Sequence, residues 1–278
     1  MNTLEFSALV ATGSLIAGFL GALTGLGGGV VIVPMLTLMF GVDMRYAMGA
    51  SLISVIATSS GAAAAYVREG FSNVRIGLFL EVATTVGAIS GAILATHVPT
   101  SALAVILGVV LMYSAISRPP AEHPSPDPPP PGSLAARFRL FGTYPDTPQP
   151  RAYRAERVPL GFSLMYAAGM LSGLLGIGSG AIKVLAMDWA MRLPFKVSTT
   201  TSNFMIGVTA AASAGVFLRH GYIQPGLAVP VMLGVLGGSL AGAAFLLHAP
   251  TAKLRIVFRF VIAVLAVEMI YNGFTGRL

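Results

Sequence analysis

Apolar segments alternate with short polar stretches along almost the whole chain. Most of these segments hold about the 20 residues that a helix needs to cross the hydrocarbon core of a membrane. The pattern therefore predicts an all-α, polytopic membrane protein. The segments lie near residues 4–23, 28–40, 46–67, 75–96, 100–117, 160–176, 179–191, 197–218, 226–247 and 254–272.

Two of the segments, 28–40 and 179–191, are too short to cross a membrane as straight helices. Each follows a glycine-rich stretch, TGLGGG in the first case and LGIGSG in the second. Irregular backbone at membrane depth is tolerated only where it is buried in protein or lines a polar cavity. We therefore expect each short segment to form, together with the long segment before it, a hairpin or a broken helix inside the protein.

The chain repeats itself at a constant offset of 151 residues, which relates residues 18–117 to residues 169–268 without a gap. This offset divides the chain into a first transmembrane repeat (1–117), a linker (118–158) and a second transmembrane repeat (159–278). Each repeat holds about five helical segments. Many secondary transporters consist of two such halves and bind their substrate where the halves meet. The matching residues include Gly18 and Gly169, Gly25 and Gly176, Gly27 and Gly178, Gly29 and Gly180, and Gly91 and Gly242.

The linker differs from both repeats because it is rich in proline and arginine. Its first part, RPPAEHPSPDPPPPGS, favours extended polyproline II structure, and such a composition cannot bury enough apolar surface to fold alone. We therefore expect an extended linker, with a proline-rich motif that binds a partner as the alternative. Residues 133–144 could also form a short amphipathic helix on the membrane surface.

Basic residues set the expected topology, because Lys and Arg concentrate on the cytoplasmic side of membrane proteins. The linker is the most basic loop, so we expect it in the cytoplasm. If the chain enters the membrane and returns over 160–191, then Lys253, Arg255 and Arg259 also lie inside; otherwise they face outward. The first arrangement gives each repeat an odd number of passes. It predicts two inverted repeats, both termini outside, and a multi-pass protein of the cell inner membrane.

Composition then narrows the function classes. Hydrophobic residues make up 55% of the chain and charged residues 10%, with a mean hydropathy of +0.81, whereas a soluble domain carries about 25% charged residues. The absence of cysteine excludes disulfides and thiolate metal sites. The net charge is +7. The basic residues lie between apolar spans, and the positive-inside rule accounts for them without nucleic acid binding. No Ser-His-Asp set, HExxH motif or pair of catalytic carboxylates stands out, so we expect no enzyme activity, metal or cofactor.

The glycine-rich breaks are the strongest candidates for a binding site. Glycine lets the backbone turn sharply and approach a ligand closely, and the start of the next helix offers free N–H groups to an anion. Two such helix starts facing each other would hold one anion near the midplane. The alternative is that the glycines only permit close helix packing, which we expect of Gly87-x-x-x-Gly91 and Gly238-x-x-x-Gly242. The candidate residues at the breaks are Thr24, Gly27, Gly28, Gly29, Gly178, Ser179 and Gly180.

Lys183 adds a charge to this candidate site. It lies one turn past Gly180 in an apolar stretch, and the equivalent position of the first repeat is Ile32. A lysine at the centre of a bilayer costs about 2.5–3.5 kcal/mol, so such residues usually face a polar interior and have a function. We expect Lys183 to bind the anion, unless it snorkels to the surface or pairs with Asp188.

Other polar residues within the spans complete the candidates. Ser51, Ser202 and Asn203 could donate hydrogen bonds to an oxyanion, although such side chains often bond to their own helix backbone instead. Glu81 and Glu268 lie within two turns of a segment end. We therefore expect both carboxylates at the membrane interface rather than in a proton relay.

The segment GFLGALTGLGGGVVIVPML (18–36) and its echo GMLSGLLGIGSGAIKVL (169–185) resemble the sulfite exporter TauE/SafE family. The resemblance covers both repeats. The echo departs from the first motif because it contains Lys183 and lacks an equivalent of Pro34, and the long linker looks like an insertion. The resemblance implies an inner-membrane permease that exports small sulfur-containing anions such as sulfite or organosulfonates.

We therefore expect a secondary transporter whose partners are a small anion and the lipid bilayer, with homo-oligomerisation left open. Two other classes stay open as alternatives. An anion channel would share the glycine-rich breaks but need no alternating access. A membrane scaffold would instead recruit a partner through the proline-rich linker.

Overall fold

Helices dominate the computed structural model, which describes residues 2–24, 29–68, 72–116, 127–145, 149–178, 180–246 and 251–276. Ten of the described helices follow the ten apolar segments to within a few residues, so the predicted all-α membrane fold is confirmed at this level. Three of them, Val74–His97, Val158–Leu175 and Phe195–Arg219, are long and apolar enough to cross a membrane. The helices are α1 (Thr3–Thr24), α2 (Gly29–Pro34), α3 (Met44–Arg68), α4 (Val74–His97), α5 (Thr100–Ile116), α6 (Leu134–Arg137), α7 (Val158–Leu175), α8 (Gly180–Leu185), α9 (Phe195–Arg219), α10 (Pro225–Leu246) and α11 (Thr251–Thr275).

The short helices α2 and α8 each continue into a π-helical turn, at Met35–Met39 and Ala186–Ala190. The two turns differ by the repeat offset, so the backbone of the repeats matches even in this rare feature. Single π-helical turns inside helices are frequent near functional sites. Each turn is followed by an equivalent hydrogen bond that spans six residues and ends the helix, from Val42 N–H to Leu36 O (3.0 Å) and from Leu193 N–H to Met187 O (3.1 Å).

Helix pairs join the two halves in a reciprocal way. Helix α1 packs on α10 and helix α7 packs on α4, and the offset converts the first pair into the second. Helices α4 with α9 and α10 with α3 form a second exchanged pair, and two further contacts join equivalent helices of the two repeats, α3 with α9 and α5 with α11. Contacts that are either exchanged or self-matched in this way are the pattern that a twofold axis produces.

Glycines permit the closest of these helix contacts. A methyl group at Gly91 would collide with the carbonyl oxygen of Met170 on α7, and one at Gly238 would collide with that of Leu15 on α1. The same holds for Gly87, so the predicted packing role of the first glycine pair and of Gly238 is confirmed. The surroundings of Gly242 lie outside the described part of the chain.

Helices α5 and α11 run in opposite directions. Gly108 in α5 faces Ala266, whose carbonyl oxygen would lie 2.8 Å from a Cβ at that glycine, whereas Gly273 in α11 faces Ser101 at the start of α5, also at 2.8 Å. The start of one helix therefore lies beside the end of the other. These two helices are repeat mates.

Residues 134–145 and 149–155 of the linker form a folded cap, named here the linker cap. It consists of α6 and an antiparallel hairpin of β1 (Phe141–Tyr144) and β2 (Arg151–Arg154). Leu140, Tyr144 and Tyr153 are buried in one cluster with residues of α4, α7 and α9. The expectation of an extended linker was wrong for this part, because these side chains gain their burial from the helical body rather than from each other.

The linker cap also corrects the expected amphipathic helix at 133–144. Only Leu134–Arg137 is helical, and Phe141–Tyr144 is a strand. Asn73 ties the cap to α4: its side-chain amide donates to the Tyr153 hydroxyl at 2.8 Å, and its side-chain oxygen accepts from the Ile76 N–H. Burial raises the pKa of Tyr153 above its ordinary value, so the phenol stays neutral in this contact.

We expect Gly91→Ala to destabilise the protein by roughly 1–3 kcal/mol, because the added methyl group forces α4 away from α7. Gly215→Ala in α9 is the matched control, since no atom lies within 4 Å of a Cβ there. It should stabilise the helix by up to about 1 kcal/mol. Thermal unfolding of the purified variants in detergent measures both effects, and equal melting temperatures for the two variants would contradict the packing role of Gly91.

Candidate functional site

The break between α7 and α8 depends on glycine conformation. Gly176 and Gly178 have φ angles of +68° and +76°, in the left-handed region that other residues rarely adopt. A Cβ at Gly178 would also lie 3.1 Å from Val55 and 3.2 Å from Ile206. Both backbone freedom and the absence of a side chain are therefore needed for the chain to turn here and begin α8 at Gly180.

The first residue of α2 lies against the break between α7 and α8. A Cβ at Gly29, the first residue of α2, would lie 3.3 Å from the Ile177 carbonyl oxygen in the other break. The Ser51 hydroxyl donates to the Gly29 carbonyl at 3.5 Å, and the Ser202 hydroxyl donates to the Gly180 carbonyl at 3.3 Å. These two bonds are equivalent under the repeat offset. Below, "the double break" means Gly29, Ser51, Gly178, Gly180 and Ser202.

The structure thus brings together five of the residues that the sequence selected. Asn203 follows Ser202 on α9 but is only half-buried, and no described contact joins it to the double break. Gly27, Gly28 and Ser179 lie outside the described residues, as does the side chain of Thr24.

The hydroxyl side chains at the start of α9 have different roles. Thr199 and Thr200 bond to the carbonyl oxygens of Phe195 and Lys196 one turn earlier in the same helix. For them the backbone-bonding alternative is correct. Ser51 and Ser202 instead reach across to another helix, which leaves their hydroxyl oxygens beside the two breaks.

Lys183 is buried completely, with 0% of its surface exposed, so it does not snorkel to the membrane surface. Its ammonium group donates to the Thr209 hydroxyl at 2.5 Å. Thr209 lies one turn past Ile206, the residue that lines the double break. The single lysine in the short helices is therefore held next to the break rather than at an end of the bundle.

Sequence reasoning did not anticipate the burial of Glu81, because it considered only the distance of this residue from a segment end. Its side chain is only 6% exposed and is buried among the helices. Its Oε1 atom accepts hydrogen bonds from Thr209 at 2.7 Å and from Thr85 at 3.2 Å. Thr209 therefore links Glu81 in the first half to Lys183 in the second.

The sequence pattern of α4 could have predicted this burial. The large apolar residues that α4 exposes recur with helical spacing and form one face of the helix. Glu81 lies outside this stripe, on the buried face of α4 near Gly77 and Thr84. Distance from the segment end was the wrong criterion, since the face of the helix decides burial. The exposed residues are Leu78, Val82, Val86, Ile89 and Ile93.

The apolar helices of the two halves bury polar and charged side chains between them. This arrangement places the chain in the class of polytopic membrane proteins. The sequence model of the family described as Sulfite exporter TauE/SafE matches residues 10–269. The chain therefore belongs to this family, as the resemblance predicted, and it is a membrane transporter.

Several relatives support the same class. The chain is 27% identical to "Probable membrane transporter protein YunE" of Bacillus subtilis (strain 168), over 97% of this chain and 99% of that protein. It is 28% identical to "Probable membrane transporter protein YdhB" of the same organism, over 87% and 89% of the two chains. "Probable membrane transporter protein ORF9" of a Sinorhizobium species is 24% identical, over 86% and 82%. No solved structure matches the chain significantly.

Proposed function

We propose that the protein is a secondary transporter that exports small sulfur-containing anions, such as sulfite or organosulfonates, across the inner membrane. The observation that carries the proposal is the burial of Lys183 next to the double break. Buried charged groups in membrane proteins commonly mark the path of a substrate or ion, and an ammonium group would attract an anion. The family description, Sulfite exporter TauE/SafE, supports sulfur as the central atom of the substrate.

The double break offers an anion three kinds of partner. The N–H groups at the starts of α2 and α8 carry the positive ends of the helix dipoles. The hydroxyls of Ser51 and Ser202 can rotate to donate to an oxyanion. Lys183 adds a full positive charge, and hydrogen bonds to a charged group are about twice as strong as neutral ones. Backbone groups of both halves and one side-chain charge would then hold the substrate.

We also propose that the two halves are inverted repeats, with the linker in the cytoplasm and both termini outside. The opposite directions of α5 and α11 support this. Helices α3 and α9 support it too: Gly49, early in α3, lies against Tyr222 beyond the end of α9, whereas Ser59 later in α3 lies against Gly207. Inverted repeats that meet at a central site allow alternating access, in which one repeat rocks against the other around the bound substrate.

Counterflow in liposomes tests whether the protein is a carrier. We expect sulfite inside the vesicles to accelerate uptake of labelled sulfite from outside, because a carrier returns faster when loaded. A channel would show no such acceleration. Vesicles without the protein provide the background, and uptake that is insensitive to internal sulfite would contradict the carrier mechanism while leaving anion permeation intact.

We expect Lys183→Ala to weaken sulfite binding about tenfold or more, the effect of losing a charge-assisted hydrogen bond worth roughly 1.5–3 kcal/mol. Gly178→Leu should weaken binding strongly as well, because a side chain there is strained and meets Val55 and Ile206. Thermal shift with increasing sulfite measures both. Lys196→Ala is the matched control, since Lys196 is exposed at the start of α9. Wild-type affinity in both site variants would remove the site from the proposal.

Cysteine labelling tests the proposed topology, because the chain has no native cysteine. A membrane-impermeant maleimide should label Leu134→Cys from the cytoplasmic side and Val98→Cys from outside. Leu134 is 41% exposed, whereas its neighbour Ala135 is buried and unsuitable as a probe. Labelling of both positions from the same side would overturn the proposed arrangement.

A further inference from the structure

Three side chains form a continuous chain of hydrogen bonds between the two halves. The Lys183 ammonium group on α8 donates to the Thr209 hydroxyl on α9, and that hydroxyl donates to Glu81 Oε1 on α4. All three residues are buried. The chain, named here the Glu81–Lys183 relay, therefore connects an acid of the first half to a base of the second through one hydroxyl.

The second oxygen of Glu81 has a different environment from the first. Oε1 accepts two hydrogen bonds, whereas Oε2 is buried and has no hydrogen-bond partner among the described residues. A charged oxygen without a partner is costly in a buried place, and a protonated carboxyl group is less so. Oε2 is thus the atom at which Glu81 can take up a proton without breaking the bonds to Thr209 and Thr85.

The charge balance of the site changes when an anion binds. With Lys183 positive and Glu81 negative, the two buried charges compensate each other. An anion beside Lys183 would leave one excess negative charge in the interior, which is strongly unfavourable. Protonation of Glu81 removes that excess.

On the basis of the proposed anion transport, we propose that Glu81 couples transport to protons. Its carboxylate balances Lys183 when no anion is bound, and it takes up one proton for each anion that binds beside Lys183. The proton comes from a hydronium ion in the adjoining aqueous phase, forms an O–H bond at Glu81 and returns to water when the anion leaves. Anion and proton therefore move in the same direction: an outward gradient of the anion exports both, and an inward proton gradient drives uptake of both.

The other charged groups near the relay do not replace Glu81 in this role. Helix α7, which packs along α4, contains no acidic or basic residue. The basic residues of α9, Lys196 and Arg219, lie at its two ends, and Arg75 is exposed near the start of α4. Asp188 is buried on the π-helical turn after α8. Among these groups, Glu81 is the acid that shares Thr209 with Lys183.

The repeat offset shows that the relay is an addition to the duplicated fold. The positions equivalent to Lys183 and Glu81 are Ile32 and Met232, both apolar, whereas Thr209 has the equivalent Thr58. The twofold arrangement offers two equivalent positions for such a relay, each built from both repeats. One position has both the acid and the base, and the other has neither. This matches a pair that must stay electrically balanced in the interior.

The test uses the full chain in liposomes with labelled methanesulfonate, a monoanion whose charge does not change with pH. An imposed pH difference, acidic outside, should drive accumulation of methanesulfonate by the wild-type protein. We expect Glu81→Gln to keep methanesulfonate exchange between equal concentrations but to lose accumulation driven by the pH difference. Glu81→Asp, which retains a carboxyl group, should keep driven accumulation at a reduced level.

Glu268→Gln is the matched control, since Glu268 is an exposed carboxylate in α11 outside the relay. It should accumulate methanesulfonate as the wild-type protein does. Driven accumulation by Glu81→Gln equal to this control would overturn the coupling role and leave anion transport standing. A wild-type protein that exchanges methanesulfonate without any response to the pH difference would overturn it too. A wild-type protein that exchanges neither methanesulfonate nor sulfite would refute the transport proposal, and the coupling role with it.

Proton uptake by the wild-type protein provides a second measurement that does not depend on the folding of any variant. Addition of methanesulfonate to the protein in weakly buffered detergent solution should make the solution more alkaline, with one proton taken up for each anion bound. Binding of methanesulfonate without proton uptake would contradict the proposal directly.

Discussion

The buried ammonium group of Lys183 is the constraint on which the centre of this protein depends. A charge in an apolar interior is tolerated only with an opposite charge and satisfied hydrogen bonds. Thr209 and Glu81 supply these from two further helices, one of them in the other half of the chain. Loss of either end of the relay leaves an uncompensated charge. The same contacts therefore join the two halves, and under the proposed function they hold the positive charge that an anion would meet.

Small residues make this register possible. Helix α4 approaches α7 so closely that a methyl group at Gly87 or Gly91 would strike the opposite backbone, and a Cβ at Gly77 would lie 3.2 Å from Thr201 on α9. In a membrane, where lipid tails are as apolar as side chains, such close packing is a main source of helix association. Gly77 lies about one turn before Glu81, so the packing that joins α4 to α9 also brings the carboxylate to Thr209.

Hydropathy and the repeat offset predicted the helices, the two breaks and five of the site residues, because each depends on local composition. Three features depended on tertiary contacts and were not predictable in that way. Leu140 and Tyr153 of the linker cap become buried only against the helical body. The π-helical turns follow different sequences, one with Pro34 before it and one with Leu185. The burial of Glu81 was missed because it depends on the helix face that packs inward, not on the distance to a helix end.

The backbone and the charges of the central site follow different symmetries, and this difference suits a transporter of one anion. Equivalent serines hold equivalent glycine carbonyls in both halves, so both repeats contribute backbone groups alike. A second lysine at Ile32 would place two ammonium groups near one centre, where they would repel each other in a medium of low dielectric constant. A second acid at Met232 would then be needed as well. One charge pair on a twofold scaffold keeps the interior neutral, and it leaves a single positive charge for a single substrate.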